Sequence, residues 1–271
     1  MNPLILTLRR RPEQRLDLSQ LVPHRLASMT EAEIARIAIE TTRRRIAVGD
    51  AFRLRMGDAQ SIRIEDADDR LDQVGEGLAG GEIIVEGDVG SQAGRLMTAG
   101  RLTIKGSAGP WAGSGMRGGL IEIAGDAGDR LGGPLAGEIA GMCGGVVVVR
   151  GDAGGGVGDR LRRGTIIVEG RAGPHPGSRM IAGTLIVRRT AGPLPGYLMK
   201  RGTIVLGEGS EDLSPTFLDC GVHDLVALRL MTAFVREHSR RAAVVLGRPL
   251  RRFAGDMAVL GKGEIFVGGE D

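Results

Sequence analysis

The chain has 271 residues, 42% of them apolar, which is enough to bury a core as one large domain or two small ones. Its 36 basic residues stand against 33 acidic ones, and a single Trp and a single Tyr offer no platform for stacked bases, so the composition argues against nucleic-acid binding. The 46 glycines are unusual, but with only 11 prolines and no three-residue period they exclude collagen.

The cysteine content and the lack of a targeting pattern in the sequence indicate the cytoplasm. Cys143 and Cys220 are too few for a disulfide framework and form no C-x-x-C pair, which suits a reducing environment. The first residues lack the order of a signal peptide, and no apolar run approaches the roughly 18 residues that span a bilayer. We therefore expect a cytoplasmic protein without a membrane segment.

The first segment, residues 1–56, is predicted to form a small α+β cap. Thr30 and Glu33 stand in a capping box, with Thr30 as the N-cap of a short helix. Such a cap would close a sheet edge that otherwise invites strand addition. Alternating apolar patterns predict strands at 4–8, 45–48 and 51–55.

A glycine-led repeat organises the middle of the chain, residues 57–210. Each unit opens with a glycine and continues with a short alternating strand. The spacing is 19 residues except for one unit of 26, whose seven extra residues fall between Gly132 and Met142. A degenerate earlier unit has its strand at 61–65. The opening glycines are Gly81, Gly100, Gly119, Gly145, Gly164, Gly183 and Gly202.

Units of this size cannot bury their apolar side alone, so neighbouring units must stack. Strand residues two apart share a face, which predicts an interior ladder of apolar pairs such as Ile83 and Val85. Alanine and methionine recur in step and predict two further interior ladders. The pattern indicates a mainly β protein, a right-handed parallel β-helix of about seven to eight turns. A propeller blade needs a longer unit, and a leucine-rich repeat needs an asparagine ladder.

The strand positions between the interior pairs should face outward and be mostly polar in a sheet exposed to water. On four successive units they are instead apolar and β-branched, which predicts a covered strip. The cover is either the apolar side of a C-terminal helix or a partner subunit, and the seven extra residues are a second candidate contact. The strip consists of Val148, Ile167, Ile186 and Val205.

The last segment, residues 211–271, is predicted to be a C-terminal cap. Apolar residues at helical intervals predict a helix over 222–238, with Leu228 and Val235 on its apolar side. The final residues return to a strand and glycine pattern, so we expect a closing β turn packed on the repeat.

One stretch matches the nucleotide-binding pattern G-x-G-x-x-G. Its glycines are Gly113, Gly115 and Gly118, but the residues that follow begin a strand and not a helix. A dinucleotide fingerprint needs a helix at that point, so the match is a product of the repeat.

The histidines and cysteines are scattered along the chain. Cys220 and His223 are predicted to lie in a turn near the N-terminus of the C-terminal helix and supply at most half a metal site. A competing hypothesis is an enzyme in its own right, which would require Cys143, His175 or His223 to meet other groups in a cleft.

Three longer motifs are specific enough to carry a resemblance: the run at 71–109, "SPTFLDCG" at 214–221 and "GDMAVLGKGEIFV" at 255–267. With the repeated glycine corners they resemble the C subunit of formylmethanofuran dehydrogenase and of its bacterial counterpart, the formyltransferase/hydrolase complex. The glycine repeat alone is also similar to the C-terminal β-helix domain of the large subunit of glutamate synthase. The two C-terminal motifs and the chain length favour the one-carbon complex.

The resemblance implies a non-catalytic scaffold subunit in one-carbon metabolism, including methylotrophy. Its implied partners are an amidohydrolase-like polypeptide with a metal site, a formyltransferase polypeptide and the B subunit of the same complex. Methanofuran or methylofuran would be held by those partners, and no cofactor or metal by this chain. The implied pathway is formaldehyde oxidation ending in formate, and the abundance of arginine over lysine favours this bacterial complex. A tungsten- or molybdenum-containing dehydrogenase of archaeal type and a glutamate-synthase-like module are the alternatives.

The resemblance also implies a cofactor with a polyglutamate tail. The surplus of arginine on the repeat motivates the hypothesis that Arg95, Arg117 or Arg179, next to the methionine ladder, attracts this tail.

Overall fold

A computed structural model describes residues 2–41 and 44–269, and most of its regular structure is β. The helices are α1 (Pro23–Leu26), α2 (Glu31–Ala35), α3 (Val48–Ala51), α4 (Val226–His238) and α5 (Arg240–Leu246). The N-terminal strands are β1 (Pro3–Leu8), β2 (Leu16–Asp17), β3 (Ala38–Ile39), β4 (Ile46–Ala47), β5 (Phe52–Arg55), β6 (Asp58–Ala67) and β7 (Leu71–Asp72). The repeat contributes β8 (Ala79–Gly87), β9 (Ala99–Ile104), β10 (Arg117–Ile123), β11 (Cys143–Val149), β12 (Arg163–Val168), β13 (Thr184–Val187) and β14 (Arg201–Leu206). The C-terminal strands are β15 (Leu218–His223), β16 (Leu250–Gly255) and β17 (Lys262–Val267).

One sheet of 13 strands, mostly parallel, runs through the described chain in the order β15-β16-β17-β14-β13-β12-β11-β10-β9-β8-β6-β1-β5. The repeat strands pair in sequence order, and the predicted register is confirmed: Ile83 pairs with Leu102, and each later unit continues the same row. The interior pairs of all seven units are fully buried. The row continues beyond the repeat, because Ile204 pairs with Ile265 of β17.

Each unit meets the next at a second line of contact, outside the strands named above. Single parallel bridges join Val89, Ala108, Ala127, Ala153, Ala172, Ala191 and Ser210 in succession. Small side chains suit this line, because two backbones approach closely there. The third predicted ladder is also buried, and it consists of Met97, Met116, Met142, Leu161, Met180 and Met199.

The opening glycines are required by stacking as well as by backbone conformation. Gly100 has φ +86°, a left-handed value that glycine tolerates best. A Cβ placed on it would lie 2.6 Å from the carbonyl oxygen of Gly81, the opening glycine of the unit before. The period of the glycines in the sequence therefore follows from the contact between successive turns of the chain.

The N-terminal segment joins the same sheet. β1 pairs parallel with β6 and antiparallel with β5, which forms the edge. The predicted capping box is confirmed: the Thr30 backbone N–H donates to the Glu33 carboxylate at 2.7 Å, and the Glu33 N–H donates to the Thr30 hydroxyl at 3.4 Å. The predicted strand 45–48 is wrong at its end, because Val48 begins α3.

The C-terminal segment differs from the prediction in two respects. The predicted helix 222–238 begins at Val226, because Leu218–His223 form the edge strand β15, which pairs antiparallel with β16. Cys220 and His223 therefore lie in a strand and not in a turn. A second helix, α5, follows α4 directly, with Ser239 as its N-cap. Within the described part of the chain, no helix is long and apolar enough to cross a membrane.

Candidate partner-binding faces

The outward apolar strip lies beneath the two C-terminal helices. Val148, Ile167, Ile186 and Val205 are fully buried and belong to a second core, separate from the interior of the stacked units. Helix α4 contributes Leu228 and Val235 to this core. Helix α5 contributes Ala242, Ala243 and Leu246. Because this chain covers the strip itself, the strip offers no surface to a partner subunit.

A buried carboxylate fixes the helix pair to the sheet. Glu169, at the end of β12, is 4% exposed and accepts a hydrogen bond from the Ser239 hydroxyl at 2.7 Å. Arg150 donates to the same carboxylate and also to the carbonyl oxygen of His238 at 3.0 Å. The Ser239 hydroxyl in turn accepts from the backbone N–H of Ala242 at 3.0 Å. One polar group thus joins a repeat strand to the junction of α4 and α5.

The seven extra residues of the long unit form a surface loop with an exposed apolar tip. Ile139 is 84% exposed, the highest value among the exposed large apolar side chains of the described residues. The residue next to this tip is held in place, since Arg95 donates to the Glu138 carboxylate at 2.6 Å and Arg160 donates to the Glu138 carbonyl at 2.9 Å. Trp111 lies in the cleft beside the loop. Ile139 and the neighbouring Trp111 together make this loop a candidate contact with another protein.

A second cleft adjoins the loop and shares Arg130, Asp159 and Arg179 with the first. Asp159 is 3% exposed and accepts from Arg179 Nε at 2.9 Å, while Arg130 lies 3.6 Å away. The Tyr197 ring lines this second cleft, and the ring of His175 meets it edge to face at 6.3 Å. The single Trp and single Tyr of the chain therefore lie in adjacent clefts with shared arginines. We name these two clefts and the Ile139 loop the insertion face.

The three arginines considered for a cofactor tail differ in their surroundings. Arg95 is paired with Glu76 and Glu138, and Arg179 is paired with Asp159. Arg117 is exposed and has no ion pair within residues 2–41 and 44–269. It lines a small cleft whose other cations, Arg162 and Arg163, are also exposed and unpaired there. Other exposed cations lie at or next to the start of β14 and at the start of β17, which pair with each other. They are Lys200, Arg201 and Lys262.

The proposed catalytic candidates do not meet through any hydrogen bond among the described residues. The Cys143 thiol donates to the Gly141 carbonyl at 3.3 Å, and the His223 ring lies 2.9 Å from the Cys220 carbonyl in the same strand. His175 lies in a turn between β12 and β13. Within the described ranges, no group of three His, Cys, Asp or Glu side chains could hold a metal ion.

Burial and ion pairs shift the pKa values of two carboxylates, Glu76 and Asp219. Burial raises the pKa of Glu76, and the positive charge of Arg95 opposes this rise. The hydrogen bonds from Arg251 and from the backbone of Gly221 lower the pKa of Asp219, on the exposed edge strand β15. These carboxylates serve ion pairs of the fold.

Comparison with known proteins finds relatives that match nearly the whole chain. The C subunit of the formyltransferase/hydrolase complex Fhc from Methylorubrum extorquens is 54% identical over 263 residues, which cover 96% of this chain and 98% of that protein. A chain in the crystal structure of the FhcABCD complex from Methylorubrum extorquens, solved with methylofuran, superposes with a TM-score of 0.94 and 44% identity. That superposition covers 98% of this chain and 100% of the other. No protein-family model matches the chain.

Proposed function

The chain belongs to the family of the C subunit of the formyltransferase/hydrolase complex, and from this premise we propose that it is a non-catalytic scaffold subunit of such a complex. The proposed partners are an amidohydrolase-like polypeptide, a formyltransferase polypeptide and the B subunit. The complex would transfer a formyl group to methylofuran and release it as formate in formaldehyde oxidation, in the cytoplasm. The full-length match with one member of the FhcABCD assembly is the observation that carries this proposal.

We infer further that the stacked units wind as a right-handed parallel β-helix, with residues 1–56 and 211–271 as its caps. The parallel strand register and the parallel alanine bridges, both repeated once per unit, support this coil. Units that each touch only their neighbours make a stiff, extended body. Such a body suits a subunit whose task is to hold other subunits at fixed positions.

Partner contacts are proposed on the outer faces and not in the core. The insertion face combines Trp111, Tyr197 and Arg130, residue types that dominate the energy of protein interfaces. It also carries Ile139, which is almost fully exposed. The furan cofactor and the metal are assigned in this proposal to the partner subunits, as the family resemblance implies.

The scaffold role is tested by assembling the partner subunits with and without this chain. We expect the amidohydrolase-like and formyltransferase partners to be recovered as separate species when the chain is missing and to rejoin when purified chain is added. The amidohydrolase-like partner should keep its hydrolysis of a small formamide to formate and amine in both cases. Formate release by the purified chain alone, or a full assembly formed without it, would overturn the proposal.

A second candidate function is attraction of an acidic cofactor tail. The unpaired cluster of Arg117, Arg162 and Arg163 favours this role, whereas Arg95 and Arg179 are occupied by carboxylates. Replacing Arg117 and Arg162 by glutamate should weaken the binding of poly-L-glutamate to the chain and reduce its dependence on salt. Equal binding by the parent chain and the variant would exclude this site.

A further inference from the structure

Exposed apolar surface is concentrated at the C-terminal end of the sheet. Nine of the thirteen exposed large apolar side chains among the described residues lie between Leu218 and Leu260. Helix α4 carries three of them. Single exposed apolar residues are common on protein surfaces, but clusters of them are rare and usually mark a contact surface.

Helix α4 is apolar on two sides. Its inner side contributes Leu228 and Val235 to the core above the repeat strands. Its outer side carries Val226, Leu230 and Phe234, which are 68%, 70% and 41% exposed. Residues four apart share one side of a helix, so these three form a continuous outer stripe. A helix that is apolar on both sides is normally covered on both.

The outer stripe lies in a basic region of the chain. Residues 224–248 contain five arginines and two acids, an excess of three positive charges that equals the formal net charge of the whole chain. Arg229 is paired with Asp224, and Arg241 lies 3.5 Å from Glu169. Arg236 and Arg240 are exposed and have no ion pair among the described residues. The region around the stripe therefore carries two arginines without an ion pair among the described residues. One exposed carboxylate, Glu237, follows Phe234 by three residues and lies on the stripe's own side of the helix.

We propose that the outer stripe, Val226, Leu230 and Phe234, is a docking surface for a different protein subunit that offers an apolar groove bordered by carboxylates. The proposal rests on the proposed function, because it presumes a multi-subunit complex. Charge complementarity selects the acidic border. A second copy of this chain is a poor occupant, since a two-fold contact would bring the same arginine-rich surfaces together.

The test uses the tagged full-length chain with its partner subunits. Leu230→Glu should reduce the recovery of a partner on the order of tenfold, because it places a charge in the apolar contact and next to the acidic border. Met56→Glu is the matched control, since Met56 is also exposed, at 40%, but lies far along the chain from α4. It should leave recovery unchanged.

A second variant tests the same surface even if Leu230→Glu impairs folding. Arg236→Glu with Arg240→Glu should weaken partner recovery and its dependence on salt, and the lysine pair at the same positions should restore both. Unaltered circular dichroism of each variant is expected, since the three altered side chains are exposed.

If the parent chain recovers no partner, the proposed function fails. If the parent chain and Leu230→Glu recover partners equally, the docking surface is wrong. Binding of the parent chain to vesicles of phosphatidylcholine and phosphatidylserine that is lost in Leu230→Glu would overturn the proposal and assign the stripe to a membrane. A dimer of the parent chain that Leu230→Glu dissociates would overturn it in favour of a second copy.

Discussion

At the scale of single residues, two glycines with the same φ angle allow the stability cost of a left-handed backbone to be distinguished from the cost of a clash between stacked units. Gly100 and Gly137 have φ +86° and +87°. A Cβ on Gly137 would meet nothing within 4 Å, whereas on Gly100 it would lie 2.6 Å from the Gly81 carbonyl oxygen. Gly137→Ala should cost about 1–2 kcal/mol of unfolding free energy from the left-handed angle alone. Gly100→Ala should cost about 2–5 kcal/mol, because the clash adds to it. Urea unfolding of both variants checks this, and equal losses would show that stacking does not constrain the glycine.

A second residue-scale prediction concerns Glu76, whose pKa is raised by burial despite the ion pair with Arg95. The folded-state pKa lies above the unfolded one, so the charged carboxylate reduces stability at neutral pH. This cost is relieved as the pH falls through the folded-state pKa towards the unfolded value. Glu76→Gln should therefore be more stable than the parent chain at neutral pH, and the difference should shrink in acid.

The measurement is urea unfolding of Glu76→Gln and the parent chain at neutral and acidic pH. Glu82→Gln on the neighbouring strand is the control, since Glu82 has no ion pair among the described residues, and it should change stability little. A Glu76→Gln variant less stable than the parent at neutral pH would show that the Arg95 pair outweighs burial.

At the scale of elements, the sequence is informative where residues repeat and uninformative where they do not. The strip from Val148 to Val205 is visible in the sequence because its positions recur every 19 residues. The edge strand β15 is not visible in the sequence. Its residues are too little buried to give a strong alternating pattern, and it pairs with β16, which lies far away along the chain. The exposed stripe of α4 is also hidden, since Val226, Leu230 and Phe234 have the spacing of an ordinary core face.

An element-scale prediction follows from the attachment of the helix pair. Ser239→Ala removes the N-cap of α5 and the 2.7 Å hydrogen bond to Glu169, so it should cost about 1–2 kcal/mol. Amide hydrogen exchange should become faster in α4 and α5 while the repeat strands keep their protection. Ser210→Ala, which removes a hydroxyl bonded to the Gly192 carbonyl, is the control and should not affect exchange in the helices. Uniformly faster exchange in both regions would show that the helices and the repeat unfold as one unit.

At the scale of the whole molecule, the repeat predicts the order of strands from β8 to β14, because each unit can stack only on its neighbours. The position of the last strand could not be predicted in the same way. β17 pairs with β14 across 55 intervening residues that include both helices, and this return depends on how the helices pack on the strip. Of the candidate contact surfaces, the strip proved to be internal, while the extra residues of the long unit carry exposed Ile139.

The central claim is that this chain acts by holding partner subunits together. Its most direct test is the mass of the assembly recovered with an affinity-tagged chain from the native host, measured by native mass spectrometry. The account predicts an assembly that contains an amidohydrolase-like subunit, a formyltransferase subunit and a third partner bound to this chain. Recovery of the chain alone, as a 28.5 kDa monomer, would contradict it.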